Sequence, residues 1–358
     1  MRVDAAMHPV VTKSSDLRTW LKEPWRSTGL PEAVNRDLMR PKTPWYAEGS
    51  KPASGFAGSD PKLARRVLLE EGDLDYVVLL PLTRGMMPNL RREVATAAAT
   101  NEWLAATWLS PEHNPDGRFK GTIRIVPRSP RDAIVEIERW AGHPHFVQVG
   151  VPLATHLPYG RQEYLPVWEA AARHGLPVAV HDDGGGIGIE FPPTCVGYPT
   201  TFIEAFSMRP FNAAIQLSSL ICEGVFEQVK DLVFVFADGS FDVAGPMLWR
   251  LDKDWKAARS DIPWTEHLPS SYLKDHVRFV LQRWDGPGGS DDLAKALDIW
   301  NGAELVMYAS NYPHWDYLPP QGALADLPGQ TRDAIMGGNA AKLYRLNQAA
   351  APEMAEHV

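Results

Sequence analysis

Eight short apolar or β-branched runs alternate with helical patterns along this chain, and that alternation restricts its fold more than any other feature. The runs are the opening segment before His8, then residues 76–81, 121–127, 146–152, 177–181, 232–238, 277–281 and 305–309. Each reads as a buried strand. Between them, residues 89–108, 131–140, 164–174, 220–230 and 290–300 read as helices, followed by a last one at 331–345. Ser129-Pro130 marks one helix start, and Gly175 after His174 marks one stop. Strands alternating with helices predict a parallel sheet. About eight such units predict a closed (β/α)₈ barrel. A doubly wound open sheet is the alternative. No G-x-G-x-x-G follows the first strand, so nucleotide binding is not supported.

Two stretches break the alternation. Residues 9–62, with Trp20, Pro24-Trp25, Pro31, Pro41 and Pro44-Trp45, read as an insertion that folds over the barrel mouth. Residues 184–210 form a second irregular stretch after the fifth strand. Both follow strand C-termini, where barrels place their sites, and loops this long in a compact domain are more often functional or disordered. Residues 1–348 are therefore read as one barrel and residues 349–358 as a flexible tail. The Gly184-Gly185-Gly186 turn lacks the Lys-Ser/Thr end of a phosphate loop.

Composition narrows the function classes. The formal charge is −8 with no basic block, which disfavours a nucleic-acid surface. No run of about 18 apolar residues is present, so no membrane span is expected. Met1-Arg2-Val3-Asp4 has no signal-peptide core. Two isolated cysteines, Cys195 and Cys222, point to a reducing, cytoplasmic setting without a disulfide framework or a C-x-x-C metal motif. The 13 Trp suit a large core or a walled pocket.

Titratable and polar groups gather at strand ends. The first strand ends at His8, the fifth at His181-Asp182-Asp183, the sixth at Asp238, and the eighth at Asn311 with His314 beyond. Ends on one face of a barrel converge on one mouth. His8 and His181 can serve as acid and base, with Asp238 or Asp182 orienting an imidazole. Asn311 can donate a hydrogen bond to a substrate oxygen. Arg84 and Arg128, just past the second and third strands, can pair with a substrate carboxylate. No G-x-S-x-G elbow supports a nucleophilic serine.

Several phrases together resemble the amidohydrolase-related family, in its aminocarboxymuconate-semialdehyde decarboxylase-like branch. They lie at residues 4–8, 101–104, 146–152, 166–181, 221–227, 236–239, 246–252, 310–316 and 339–346. The resemblance implies a barrel enzyme for hydrolysis or non-oxidative decarboxylation of a carboxylated or cyclic small molecule. It also implies a homodimer. In that family a divalent metal, often zinc, is held by a pair on the first strand, a fifth-strand His and an eighth-strand Asp. The corresponding positions here are Ala6, His8, His181 and Asn311. Ala6 has no donor atom, and Asn311 is a neutral, poor zinc ligand that cannot act as a general base. His314 and Trp315 match the family phrase and are candidates to shape the substrate site.

These departures predict a metal-independent acid–base enzyme built on His8, His181, Asp238 and Asn311, with no cofactor. Two alternatives stand beside it. One is a metal-dependent hydrolase or decarboxylase with an altered ligand set, in which His8, His181 and Asp238 hold the ion. The other is a non-catalytic ligand-binding descendant.

Overall fold

Eight parallel strands pair in sequence order, β1 to β8, in the computed structural model of the chain. The strands are β1 Val3–Met7, β2 Tyr76–Leu79, β3 Phe119–Arg124, β4 Phe146–Pro152, β5 Val178–His181, β6 Phe234–Phe236, β7 Val277–Leu281 and β8 Val306–Tyr308. The structure describes residues 1–13, 15–28, 45–83, 86–183, 197, 199–281 and 290–346. Helices flank the sheet, and the sheet curls into a nearly closed barrel, as the alternation predicts.

The two ends of the sheet meet through one carboxylate. Asp4, fully buried on β1, accepts from the Ser310 backbone N–H at 3.0 Å and from the Ser310 hydroxyl. It also accepts from the Ala6 N–H at 3.1 Å. Further along, the His8 N–H donates to the Tyr312 carbonyl at 2.8 Å. Backbone polar groups at the seam are thereby satisfied, which burial demands.

The core divides as a barrel requires. Val3, Ala5, Val78, Ala179, Val235, Val280, Met307 and Ala309 form one buried cluster. The alternate residues of the same strands, such as Val77, Leu79, Val149, Val178, Phe234 and Phe279, join the larger cluster with the helices. Period-two alternation of side chains separates the two. The helices Leu90–Thr107, Pro130–Trp140 and Leu165–Arg173 lie close to where the sequence places them. The 220–230 helix is displaced: Arg209–Cys222 is the long helix, and Gly224 at φ +69° separates it from the short Val225–Gln228. The helix Phe241–Ala258 is an addition to the sequence pattern, and Pro246 stands inside it. Pro removes one internal hydrogen bond and usually ends a helix.

Described parts of residues 9–62 lie against the loop after β8. The Ala47 N–H donates to the Pro313 carbonyl at 2.9 Å, and the Trp315 N–H donates to the Trp45 carbonyl at 3.1 Å. Gly58, at φ +74°, allows this approach: a Cβ there would sit 2.6 Å from Pro313 Cγ and 3.1 Å from the His8 carbonyl. Residues 29–44, most of 184–198 with the triple glycine and Cys195, and the 349–358 tail lie outside the described residues. No described helix is long and apolar enough to cross a membrane.

Candidate functional site

Three imidazoles meet at the C-terminal end of the barrel. His8 follows β1, His181 ends β5 and His314 lies in the loop after β8. The His8 ring centroid is 4.6 Å from that of His181 and 4.9 Å from that of His314. His8 is fully buried and His181 nearly so.

Each ring turns its Nδ1 toward an oxygen. His8 Nδ1 is 3.0 Å from the Leu80 carbonyl, and His181 Nδ1 is 3.1 Å from the Asp182 carbonyl. His314 Nδ1 is 3.1 Å from Asn311 Oδ1. An imidazole whose Nδ1–H donates to an oxygen carries its lone pair on Nε2. Asn311, at φ 55°, turns the chain back so that His314 reaches the site. Asn tolerates this left-handed conformation better than most residues. Its Nδ2 donates to Asp316 Oδ1 at 2.6 Å, which leaves Oδ1 to accept from His314.

Burial and neighbouring charge set the protonation of the rings. Burial, with the charges of His181 and His314 adding to it, holds His8 well below the ordinary imidazole range. Burial also depresses His314, to about 3. His181 goes the other way. Burial depresses it, but the carboxylates of Asp183, Asp238 and Asp182 more than offset burial and raise it.

Two arginines hold the surrounding acids. Arg124, at the end of β3, pairs with Asp183, and both side chains are fully buried. The Thr83 hydroxyl and backbone N–H also donate to Asp183, the N–H at 3.2 Å. Asp183 Oδ1 lies 3.8 Å from His181 Nδ1. Arg209, on the first turn of helix Arg209–Cys222, has Nε 2.5 Å from Asp182 and Nη1 3.9 Å from Asp238. Its guanidinium also covers the Phe206 ring at 4.3 Å. Phe206 stacks on Phe202 and lies 6.3 Å from Trp315, and Phe202 meets Trp45 edge-on at 5.2 Å. Tyr46 stacks beside His314 at 6.4 Å. One side of the mouth is thus an aromatic wall.

The structure brings His8, His181, Asp182, Asp238, Asn311, His314 and Trp315 into this neighbourhood. Arg128 is engaged elsewhere: its Nε donates to Glu93 at 2.8 Å, and it contacts the Met87 carbonyl and His156. Arg84 lies outside the described residues. Asp183, one of the acids at the fifth strand end, joins the site through Arg124. Two contributors were not anticipated: Arg124 is hidden within an ordinary strand pattern, and Arg209 sits at a helix start. No local motif marks either of them.

Whether such a site suits a metal turns on one atom. His8 Nε2 is buried and makes no hydrogen bond of good geometry among the described residues, with the Asn311 side chain beside the ring. A buried lone pair facing other imidazoles needs a donor or a cation. Imidazoles with Nδ1 held by oxygens have the usual arrangement of metal-binding histidines. His8 and His181 are therefore the two imidazoles that could hold a divalent ion, although no three described His, Cys, Asp or Glu ligand atoms of this site lie within 4.8 Å of one another. Among the described residues, Glu227, Glu266 and His267 bring ligand atoms within 4.8 Å of one another. That group precedes β6 and β7, at the opposite end of the strands, and two of its members are exposed.

The fold matches several solved enzymes at low identity. One is a 5-carboxyvanillate decarboxylase from Sphingomonas paucimobilis, at 21% identity and TM-score 0.67, covering 96% of this chain and 99% of that one. A dihydroxybenzoic acid decarboxylase from Polaromonas, bound to manganese and 2-nitroresorcinol, is 17% identical at TM-score 0.64, over 97% of this chain and 98% of that one. A 5-carboxyvanillate decarboxylase from Novosphingobium aromaticivorans is 18% identical at TM-score 0.68, over 96% and 97%. It holds manganese and a nitrobenzoic acid in a variant with one aspartate changed to asparagine. No curated protein matches the chain significantly.

These findings overturn the expectation of a cofactor-free site. Solved structures of the same fold carry manganese, and His8 and His181 remain here at two of the family's ligand positions. The expectation gave the donors missing at Ala6 and Asn311 more weight than the two imidazoles that remain at the family's positions. The resemblance on which the expectation rested does hold, since the amidohydrolase family model matches residues 3–346. The chain belongs to the amidohydrolase family and is an enzyme of the hydrolase or lyase type.

Proposed function

We propose that this enzyme removes carboxylate, without oxidation, from an oxygenated aromatic acid, and that it does so with a divalent metal held by an altered ligand set. The buried Nε2 of His8, which makes no hydrogen bond of good geometry, carries the reading. His8 and His181 are the two donors retained from the family pattern. When bound, the ion would act as a Lewis acid on substrate oxygens.

The chain's own groups support the rest. The aromatic wall of Trp45, Phe202, Phe206 and Trp315 offers a flat apolar face to a ring. Arg209 links Asp182 and Asp238, and its remaining N–H groups can pair with a substrate carboxylate. In the reaction the ring carbon that bears the carboxylate takes up a proton. The carbon–carbon bond then breaks, its electron pair stays with the ring, and carbon dioxide leaves. Asp238, at the end of β6 beside Arg209 and near His181, is the group we assign to relay that proton, taking it from water and passing it to the ring carbon. Metal-assisted hydrolysis, the other family chemistry, would use the same carboxylate as a base toward water.

The test is turnover of hydroxylated and methoxylated benzoates by the manganese-loaded protein in deuterium oxide. The expected result is carbon dioxide release, with one deuteron at the vacated ring carbon and loss of activity in Asp238→Asn. If no member of the panel loses carbon dioxide while cyclic esters or amides are hydrolysed, the hydrolase chemistry replaces it.

A further inference from the structure

We infer that the base of the barrel carries a binding site for a compact, non-aromatic polyanion, a small molecule with two or more phosphate or carboxylate charges, gripped by Lys342 and Arg345. A cavity of about 830 Å³ lies there, at the end of the strands opposite the histidines. Arg2, which leads into β1, lines it together with Met336, Lys342 and Arg345 near the C-terminus. Its size falls within the range of small-molecule pockets, about 300–1,000 Å³. Its charge runs against that of the chain. The sequence has 44 acidic residues against 36 basic ones, yet the cavity is lined by Arg2, Arg332, Lys342 and Arg345 and by a single acid, Asp333. A concave surface lined by one sign of charge focuses the field and concentrates ions of the other sign.

Two of the four cations are already committed. Arg2 donates to the Pro320 carbonyl at 2.6 Å and pairs with Asp73 at 3.2 Å, and Arg332 Nε lies 3.8 Å from Asp333. The side chains of Lys342 and Arg345 pair with no acid among the described residues. Arg345 is nevertheless held in place. It follows the helix Asn339–Leu343 at φ 55°, the left-handed position where helices commonly end on glycine, and the Leu346 N–H closes the turn on the Ala341 carbonyl at 3.0 Å. That turn aims the side chain at Gly175. Nη2, Nη1 and Cζ lie 3.1, 3.2 and 3.3 Å from where a Cβ on Gly175 would be. Three nearly equal distances mean that the planar group lies flat on the glycine, so its N–H edges remain available for a bidentate anion. Lys342 and Arg345 also border a second cavity, of about 970 Å³, but Asp231, Asp275 and Glu304 line that one and disfavour an anion there. The rest of the first cavity is small and aliphatic, with Pro320, Ala323 and Ala341, and contains no aromatic ring. A nucleotide base would find nothing to stack on, which restricts the ligand to non-aromatic polyanions.

The experiment is calorimetric titration of the full chain with inorganic pyrophosphate at constant ionic strength, beside thermal melts with and without it. Wild type is expected to bind one pyrophosphate per chain and to melt at a higher temperature when saturated. Lys342→Gln and Arg345→Gln should each weaken binding about tenfold or more, as expected for one charge-assisted hydrogen bond. Both positions are exposed, so their melting temperatures without pyrophosphate should stay near that of wild type, with circular dichroism as the check on folding. Arg345→Lys should recover part of the affinity, and Asp333→Asn, which removes the one acid, should tighten binding. Arg209→Gln, at the other end of the barrel, should bind as wild type does. Absence of saturable binding would overturn the inference. So would binding that Lys342→Gln and Arg345→Gln leave unchanged, or binding that Arg209→Gln removes.

Discussion

The buried pair Arg124–Asp183 gives the sharpest quantitative test of how this site is held. Both side chains are fully excluded from solvent, and Asp183 also accepts from Thr83 and faces His181. Arg124→Met keeps the volume and apolar stem but leaves a buried carboxylate without its cation. Removing one partner of a buried pair costs about 3–5 kcal/mol. An unfolding entropy of about 2.1 cal/mol/K per residue over 358 residues amounts to about 0.75 kcal/mol/K. The melting temperature should therefore fall by about 4–7 °C. The pH dependence identifies the cause. In wild type, burial pushes Asp183 upward, but Arg124, with His181 and Thr83, more than offsets it and holds the group below its ordinary value of 3.8. A depressed folded pKa adds stability above the unfolded value, and that stability is lost as pH falls through the folded one. Without Arg124, burial acts largely unopposed and the Asp183 pKa rises. The deficit of the variant should then be full at pH 8 and shrink toward pH 5 as Asp183 takes a proton. Urea and thermal melts of both proteins at the two pH values measure it. Arg124→Met/Asp183→Leu should recover most of the loss, because well-packed apolar replacements of buried pairs are often neutral. A deficit under about 1 kcal/mol, or one of equal size at both pH values, would refute the reasoning.

Three further outcomes are expected. Asp4 is held at about 6 because burial outweighs the hydrogen bonds from Ser310 and Ala6. A raised folded pKa means stability that is full below the unfolded value near 3.8 and is lost as pH rises through about 6. The shift corresponds to about 3 kcal/mol at about 1.4 kcal/mol per unit. Asp4→Asn should therefore gain on wild type between pH 4 and pH 8 in urea melts, and a constant difference would argue against it. Gly58→Ala combines a left-handed φ with contacts at 2.6 Å to Pro313 and 3.1 Å to the His8 carbonyl. It should lose at least about 1 kcal/mol and lower kcat/KM, and unchanged kinetics would show that the insertion does not need this close approach. Finally, Mn²⁺ at about 100 times its Kd should raise folding stability by about 2.7 kcal/mol, reversed by chelation. A melting curve indifferent to metal and chelator would count against a metal held in the folded core.

Much of the site was legible because barrels put strand ends together. His8, His181, Asp238 and Asn311 each close a strand run, so adjacency in space followed from adjacency to strands. The roles were less legible than the positions. Asn311 was read as a failed ligand, since a strand-end position says nothing of the turn that follows. That turn, at φ 55°, is what carries His314 back to the other rings. Arg128 was expected to meet a substrate, yet Glu93 and the Met87 carbonyl, from a different part of the chain, already engage it.

The sequence by itself determined the eightfold alternation, the parallel barrel and the family, because each depends on local period or on phrases of a few residues. Tertiary structure alone decided which charges are buried together. Arg124 and Asp183 are 59 positions apart, and Asp4 and Ser310 are 306 apart. Neither pair has a sequence signature, since their partnership arises only when the sheet closes and removes water from both groups. The same closure leaves the His8 lone pair facing two other imidazoles, and it makes a chain lacking two of the usual ligands a candidate to bind metal.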